Sequence, residues 1–354
     1  MVNREHDRSP RVRLDDARQT VAHSPIQFLT LSGTTQKPAK YYGFYPAAKL
    51  KSLVELQHSF ITKTPRSHTN GPDERRVVMI REAWPYFEGW PFQERWVHLD
   101  GLQIHYVDEG YASRPVVMVH GNPAWSYMWR NLIPSVSAGH RAIALDLMGF
   151  GKSDKPNPTL HDFPHHARII SGFIQSLGLR KIVLIVHDWG GPFALNYAMR
   201  NPENIAGLVI LNTFLTTDFR IPPNVAAKIT PAIIKDSSIN PEKITEDTMK
   251  AYWAPFPDDE SKITYQSFAR MFPDTSFHPS YKPMKEIEQG LPNLKVPVLM
   301  VWGTGKSGTG YAERVSKTIP DCQLKPVNAG HFVPEDAPQE TAKLIVDFLD
   351  NCNL

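Results

Sequence analysis

The stretch Lys181–Arg200, KIVLIVHDWGGPFALNYAMR, constrains this chain more than any other. Lys181–Val186 is a short, continuous apolar run rich in β-branched side chains, the pattern of a strand buried in a parallel sheet. The run stops at His187-Asp188-Trp189-Gly190-Gly191, and from Pro192 onward FALNYAMR reads as a helix. Strand, sharp turn and helix in that order form a nucleophile elbow, which lifts one side chain above the ends of the sheet. Gly190 and Gly191 allow strand and helix to pack closely around the turn. The lifted side chain is Asp188, a carboxylate where esterases and lipases place serine. An ordinary strand-to-helix junction with an aspartate cap shares this local pattern, so the rest of the chain has to decide between the two.

Regular structure is expected from about Glu94. Arg95–Leu99 and Gln103–Val107 flank Asp100-Gly101, a hairpin signal. Pro115–Val119 reads as a buried strand ending in His120-Gly121-Asn122-Pro123, and Arg141–Leu145 as another ending at Asp146. The stretch Gly151–Ser153 is not a phosphate loop, because Asp146 stands where that motif needs its first glycine. Ala167–Leu177 is an amphipathic helix, and Ile205–Leu211 a strand ending at Asn212. Residues 213–292 change character, with many prolines, short helical pieces and aromatics, as expected of a helical cap inserted over the sheet. Pro297–Trp302 and Gln323–Val327 resume the strands, and Gln339–Leu349 closes as a helix. Strands alternating with helices imply a mostly parallel α/β sheet, whose ligands sit beyond the strands' carboxyl ends. The expected organisation is a polar, partly disordered extension (1–75, with a short helix at Ala47–Phe60), a first core segment (76–212), the cap (213–292) and a second core segment (293–354).

Composition narrows the class. The 354 residues are 41% hydrophobic and 21% charged, ordinary for a soluble enzyme, and a net charge of +3 gives no case for nucleic acid. The charge is uneven: residues 1–76 hold 13 Lys and Arg against 7 Asp and Glu. That surplus suits a docking arm or a plain solvated tail, and the acids within it argue against an organelle transit peptide. Two cysteines, Cys322 and Cys352, show no metal-ligand spacing and fit a reducing compartment. No apolar run long enough to span a bilayer and no signal core are present, so a cytoplasmic location is expected.

The chemistry follows from residue types at strand ends. A carboxylate at position 188 is anionic at neutral pH and attacks a saturated carbon without help from a base, forming an ester. A histidine can then activate water to hydrolyse that ester. His331 stands just after the last expected strand, although a loop histidine capping the final helix has the same look. The backbone N–H groups of Trp189 and Asn122 are the natural oxyanion hole. Their side chains add an indole N–H and an amide, donors suited to a leaving anion such as a halide. Separately, Trp189 reads equally as a core aromatic and Asn122 as a turn residue before Pro123.

The motifs HGNPAWSYMWR, LDLMGFGKSDKP, VHDWGGP, YWAPFPD, FARMFP and GHFVPEDAP together resemble the haloalkane dehalogenase family, from about Val77 to the C-terminus. The resemblance implies an α/β-hydrolase fold, a mostly parallel sheet flanked by helices with an inserted helical cap domain. It implies Asp188 as nucleophile, His331 as base, and Trp189 with Asn122 as halide donors. No cofactor or metal is implied; the partners are a small haloalkane or related apolar electrophile, water and halide. Some relatives take the second donor from a cap tryptophan, but the tryptophan here, Trp253, lies in the APFP stretch, which favours Asn122. One departure concerns the acid that orients the histidine. The family places it after the strand following the elbow helix, where this chain has Asn212, or in a WGxxD pattern, where it has Lys306. Asp218 and Glu313 are the remaining candidates, and without an acid turnover is expected to be impaired. Two rival readings follow. One is an epoxide hydrolase with the same nucleophile, using Tyr252, Tyr265 or Tyr281 to protonate the ring. The other is a catalytically silent fold used for binding.

Overall fold

In the computed structural model, residues 84–219, 221, 226, 228–305, 308–352 and 354 are described. The expected extension 1–75, with its helix at Ala47–Phe60, lies outside them. The described residues belong to one compact unit built on eight strands: β1 (Arg95–Leu99), β2 (Leu102–Glu109), β3 (Pro115–Val119), β4 (Arg141–Leu145), β5 (Ile182–His187), β6 (Ile205–Leu211), β7 (Val298–Gly303) and β8 (Cys322–Val327). Their order across the sheet is β1-β2-β4-β3-β5-β6-β7-β8. The β1–β2 and β2–β4 pairs are antiparallel, and the rest are parallel.

The central strands are apolar because helices cover both faces. Every residue of β3, β5 and β7 is buried, and each fully buried Val, Leu or Ile contributes about 1.5–3 kcal/mol. Register then decides where the chemistry falls. Val119 pairs with Val186, and Val186 with Ile210, so β3, β5 and β6 end side by side. The segments that follow them, from His120, Asp188 and Asn212, therefore meet at one rim.

The helices follow their own signals. The helix expected at Ala167–Leu177 begins earlier, spanning Phe163–Ser176. Asp162 explains the difference, since its carboxylate accepts from the His165 N–H at 2.8 Å and caps the helix there. The final helix, Pro338–Asn351, buries Thr341, Ala342, Ile345, Phe348 and Leu349, the spacing of one helical face. Between β6 and β7 lie the short helices Ile233–Asp236, Glu246–Trp253, Asp259–Ser267 and Tyr281–Gly290. Thr245 caps the second of them, and Asp258 with Ser261 forms a capping box on the third. The Gly151–Ser153 stretch wraps around Asp146, whose carboxylate accepts from the N–H groups of Ser126 at 2.7 Å and Lys152 at 2.8 Å. Its role is to fold a loop around a buried anion, consistent with the exclusion of a phosphate site.

Candidate active site

Asp188 sits at the tip of the β5 turn with φ of 48°, a left-handed conformation that a non-glycine residue adopts only under constraint. The constraint is visible. The Asp188 carbonyl accepts from the Thr213 hydroxyl at 2.5 Å and from the Gly191 N–H at 3.0 Å. The helix Gly190–Arg200 starts hard against the sheet: a Cβ on Gly190 would collide with the carbonyls of Val119 and His120, and one on Gly191 with Thr213. Alanine at either position would push the elbow out of place.

The carboxylate has two differently held oxygens. Oδ1 accepts from the backbone N–H of Asn122 at 2.8 Å, and the Trp189 N–H also bonds the carboxylate. Oδ2 faces Nε2 of His331 at 3.4 Å. Burial would raise the Asp188 carboxyl, but the bond and charge of His331, with His187 and the Trp189 N–H, hold it below the usual carboxylate range. It is thus an anion at neutral pH, despite being buried.

Asn122 is oriented by a backbone partner. Its Nδ2 donates to the Tyr265 carbonyl at 3.2 Å, which leaves the second N–H of the amide for another acceptor. The Trp189 ring packs 4.7 Å from Phe214 and 4.7 Å from Phe272. Asn122, Asp188, Trp189, Asn212 and His331 line one cavity of about 30 Å³, closed by phenylalanine rings such as Phe268 and Phe272. One water needs roughly 10–15 Å³ of such space, so in this conformation the cavity holds water-sized guests.

The acid side of the site is different. Asn212 is 2% exposed, has φ of 26°, and accepts from the Gly303 N–H through Oδ1 at 2.8 Å. Its Nδ2 is buried with no hydrogen-bond partner among the described residues. Lys306 lies outside the described residues. Asp218 is 62% exposed and pairs with Arg314 at 3.0 Å, and it also accepts from the Thr216 hydroxyl. Glu313 is exposed on the helix Gly310–Ser316, where it accepts from the Thr309 hydroxyl. Neither carboxylate lines the cavity, because each is drawn outward to a surface partner. Of the tyrosines, Tyr252 gives its O–H to Glu335, and none of Tyr252, Tyr265 and Tyr281 lines the cavity.

Sequence reasoning passed over several contributors. Thr213 directly follows Asn212 at the rim, and that position was its only signal. His187 stands inside the elbow motif itself; its Nε2–H donates to the His331 carbonyl at 3.0 Å. Burial and the neighbouring His331 push its imidazole down to about 3, so it stays neutral. Asp336 holds the Gly330 N–H at 2.5 Å, immediately before His331.

An eight-stranded, mostly parallel sheet with a carboxylate on its elbow and a histidine after its last strand defines a class. The model of the alpha/beta hydrolase fold matches residues 114–338, and the chain belongs to that superfamily. Haloalkane dehalogenase of Mycolicibacterium paratuberculosis is 31% identical over 70% of this chain and 87% of its own length. Cis-3-alkyl-4-alkyloxetan-2-one decarboxylase of Shewanella oneidensis is 30% identical over 71% of this chain and 86% of its own length. The solved haloalkane dehalogenase of Paraglaciecola agarilytica superposes with a TM-score of 0.68 at 27% identity, over 73% of this chain and 93% of that one. Within the superfamily, the chain is a member of the haloalkane dehalogenase family.

Proposed function

We propose that this protein displaces halide from an alkyl carbon through an aspartyl ester. Asp188 attacks the carbon, the carbon–halogen bond breaks, and its electron pair leaves with the halide. Trp189 and the spare N–H of Asn122 stabilise that anion. His331 then takes a proton from water, whose oxygen attacks the Asp188 carboxyl carbon. The charge that develops on Oδ1 is held by the backbone N–H of Asn122. The ester bond breaks, the alcohol leaves with a proton from His331, and the carboxylate is restored. The observation that carries this reading is the pinned, ionised Asp188 facing His331 at 3.4 Å over an apolar cavity.

Epoxide opening is less well supported, since it needs a phenol over the nucleophile and the three tyrosines named above do not line the cavity. The finer part of the proposal is that ester breakdown lags ester formation. The two positions at which relatives carry the orienting acid hold Asn212 and Lys306, and replacing such an acid by its amide in a serine protease costs about 10⁴ in rate. Small haloalkanes and water are the proposed partners. No helix among the described residues is long and apolar enough to cross a membrane. A reducing, cytoplasmic setting fits the free thiols of Cys322 and Cys352.

The test adds excess bromoalkane and follows halide together with intact mass. A burst of about one halide per chain, an alkyl adduct mapping to Asp188, and neither in Asp188→Ala are expected. Halide release by Asp188→Ala at the unaltered rate would sink the mechanism. Diol from an epoxide with no halide would move the assignment to epoxide hydrolysis. Neither product nor adduct would leave a binding protein.

A further inference from the structure

The loop that carries His331 is fastened by the two carboxylates that follow it, and both reach into the segment inserted between β6 and β7. Glu335 and Asp336 belong to the short helix Val333–Asp336. Glu335, with its side chain 3% exposed, receives both prongs of the Arg130 guanidinium at 2.5 and 2.9 Å. It also accepts the hydroxyl of Tyr252, from the inserted helix Glu246–Trp253. Beside it, the Tyr127 ring packs edge-on against Tyr252, and Trp125 donates its indole N–H to the Ala251 carbonyl at 3.0 Å. Asp336 accepts from the Gly330 N–H on the core side. On the inserted side it accepts from the Ser238 hydroxyl and from the Ile239 N–H at 3.2 Å. The Gly330 backbone lies so close to Ser237 that an added Cβ would strike its carbonyl.

Buried carboxylates do not tolerate losing a donor, because an uncompensated charge stays behind. If the inserted segment lifts, Asp336 and Glu335 each lose partners, and the His331 loop loses its anchor with them. The same inserted segment lines the cavity, through Phe268 and Phe272.

We propose that Glu335 and Asp336 are positioning residues that tie His331 to the inserted segment, so that the base is seated only while that segment is closed. Ester formation needs Asp188 and the halide donors, which sit on β5 and β3 turns. Ester breakdown needs His331 in place. Loosening the Glu335 and Asp336 ties therefore slows the second step more than the first, whose own links to the inserted segment, the Asn122 amide at the Tyr265 carbonyl and the Trp189 ring against Phe272, are separate from them. The inference rests on the reading of Asp188 and His331 given above.

The test uses the full chain carrying Tyr252→Phe and Ser238→Ala, which remove one donor from each carboxylate and keep Arg130 and Gly330 in place. The halide burst rate is expected to stay within about twofold, while adduct decay slows about tenfold, in line with lost bonds to charged groups. Ser238→Thr, which retains a hydroxyl, should restore decay in the Tyr252 background by about half of that effect. Hydrogen–deuterium exchange supplies a readout independent of chemistry: amides of residues 329–332 and 237–252 should both exchange faster in the double variant. A lower melting temperature with an unchanged ratio of the two rates, or unchanged exchange at 329–332, overturns the proposal. If the unaltered protein forms no adduct, the assignment of Asp188 and His331 fails, whereas the exchange measurement still decides whether the two segments are coupled.

Discussion

The rim of the sheet divides into two halves. On the nucleophile half, the turns after β3 and β5 hold Asn122, Asp188 and Trp189, and three bonds fix them: the Asn122 N–H to Oδ1 of Asp188, the Asn122 amide to the Tyr265 carbonyl, and the Thr213 hydroxyl to the Asp188 carbonyl. On the acid half, the turns after β6 and β7 hold an amide with an orphaned Nδ2, while the nearby carboxylates face outward. In the proposed mechanism the first half serves attack on a carbon. The second is held together by contacts such as the Gly303 N–H to the Asn212 side chain, and among the described residues neither Asp218 nor Glu313 lines the cavity there. On the proposed mechanism, the half that serves the first step is the more tightly organised of the two.

The largest effect that would break this contrast comes from the halide donors. Trp189→Phe and Asn122→Ala should each slow the halide burst, since removing one charge-stabilising donor typically costs about 2.7–4 kcal/mol, or roughly 10²–10³ in rate. Full burst rates in both variants, read by stopped-flow halide detection, would remove these residues from the first step.

A smaller effect sharpens the acid half. Asn212→Asp keeps the acceptor for Gly303 and the tolerance of a left-handed backbone, and it adds a carboxylate at a family acid position. Adduct decay should quicken by about tenfold or more, part of the about 10⁴ attributed to an orienting acid, with little change in the burst. Decay slowed or unchanged in single-turnover mass spectrometry would mean that this position does not serve His331.

The smallest effect concerns stability behind the nucleophile half. His161 and His166 lie 3.3 Å apart and pack around Phe268, which touches Trp189. Burial, with nearby Lys155, pushes His161 down to about 3. A histidine depressed in the fold is protonated first in the unfolded chain, at about 6.5. Stability is therefore fully present above about pH 6.5 and is lost as pH falls towards 3, by about 1.4 kcal/mol per pH unit for each such histidine. His161→Gln should flatten that slope, measured as urea midpoints between pH 4 and 7. An unaltered slope would show that this pair does not set acid sensitivity.

Legibility follows the same division. The elbow and the strands were readable because each is a contiguous string: apolar run, Asp188, Trp189, two glycines. The hairpin at Asp100-Gly101 and the change of pattern at residue 213 were local as well. The helix start at Phe163 was missed because a single cap, Asp162, outweighs a weak apolar period. Glu335 and Asp336 stood in plain view in GHFVPEDAP, but their partners Arg130, Tyr252 and Ser238 are far away in sequence, and no spacing rule joins them. The outward turn of Asp218 and Glu313 depended on Arg314 and Thr309, a contact geometry that residue types alone do not determine.

The inserted segment also sets the timetable of synthesis. Leu208 of β6 pairs with Val298 of β7, so about 90 residues must be made before that edge of the sheet is covered. At about 5–20 residues per second this is roughly 5–18 s, during which β6 presents open backbone groups and an almost wholly apolar strand. The segment that lines the cavity in the finished molecule thus postpones the pairing of β6, whose outer edge gains its partner only once β7 emerges.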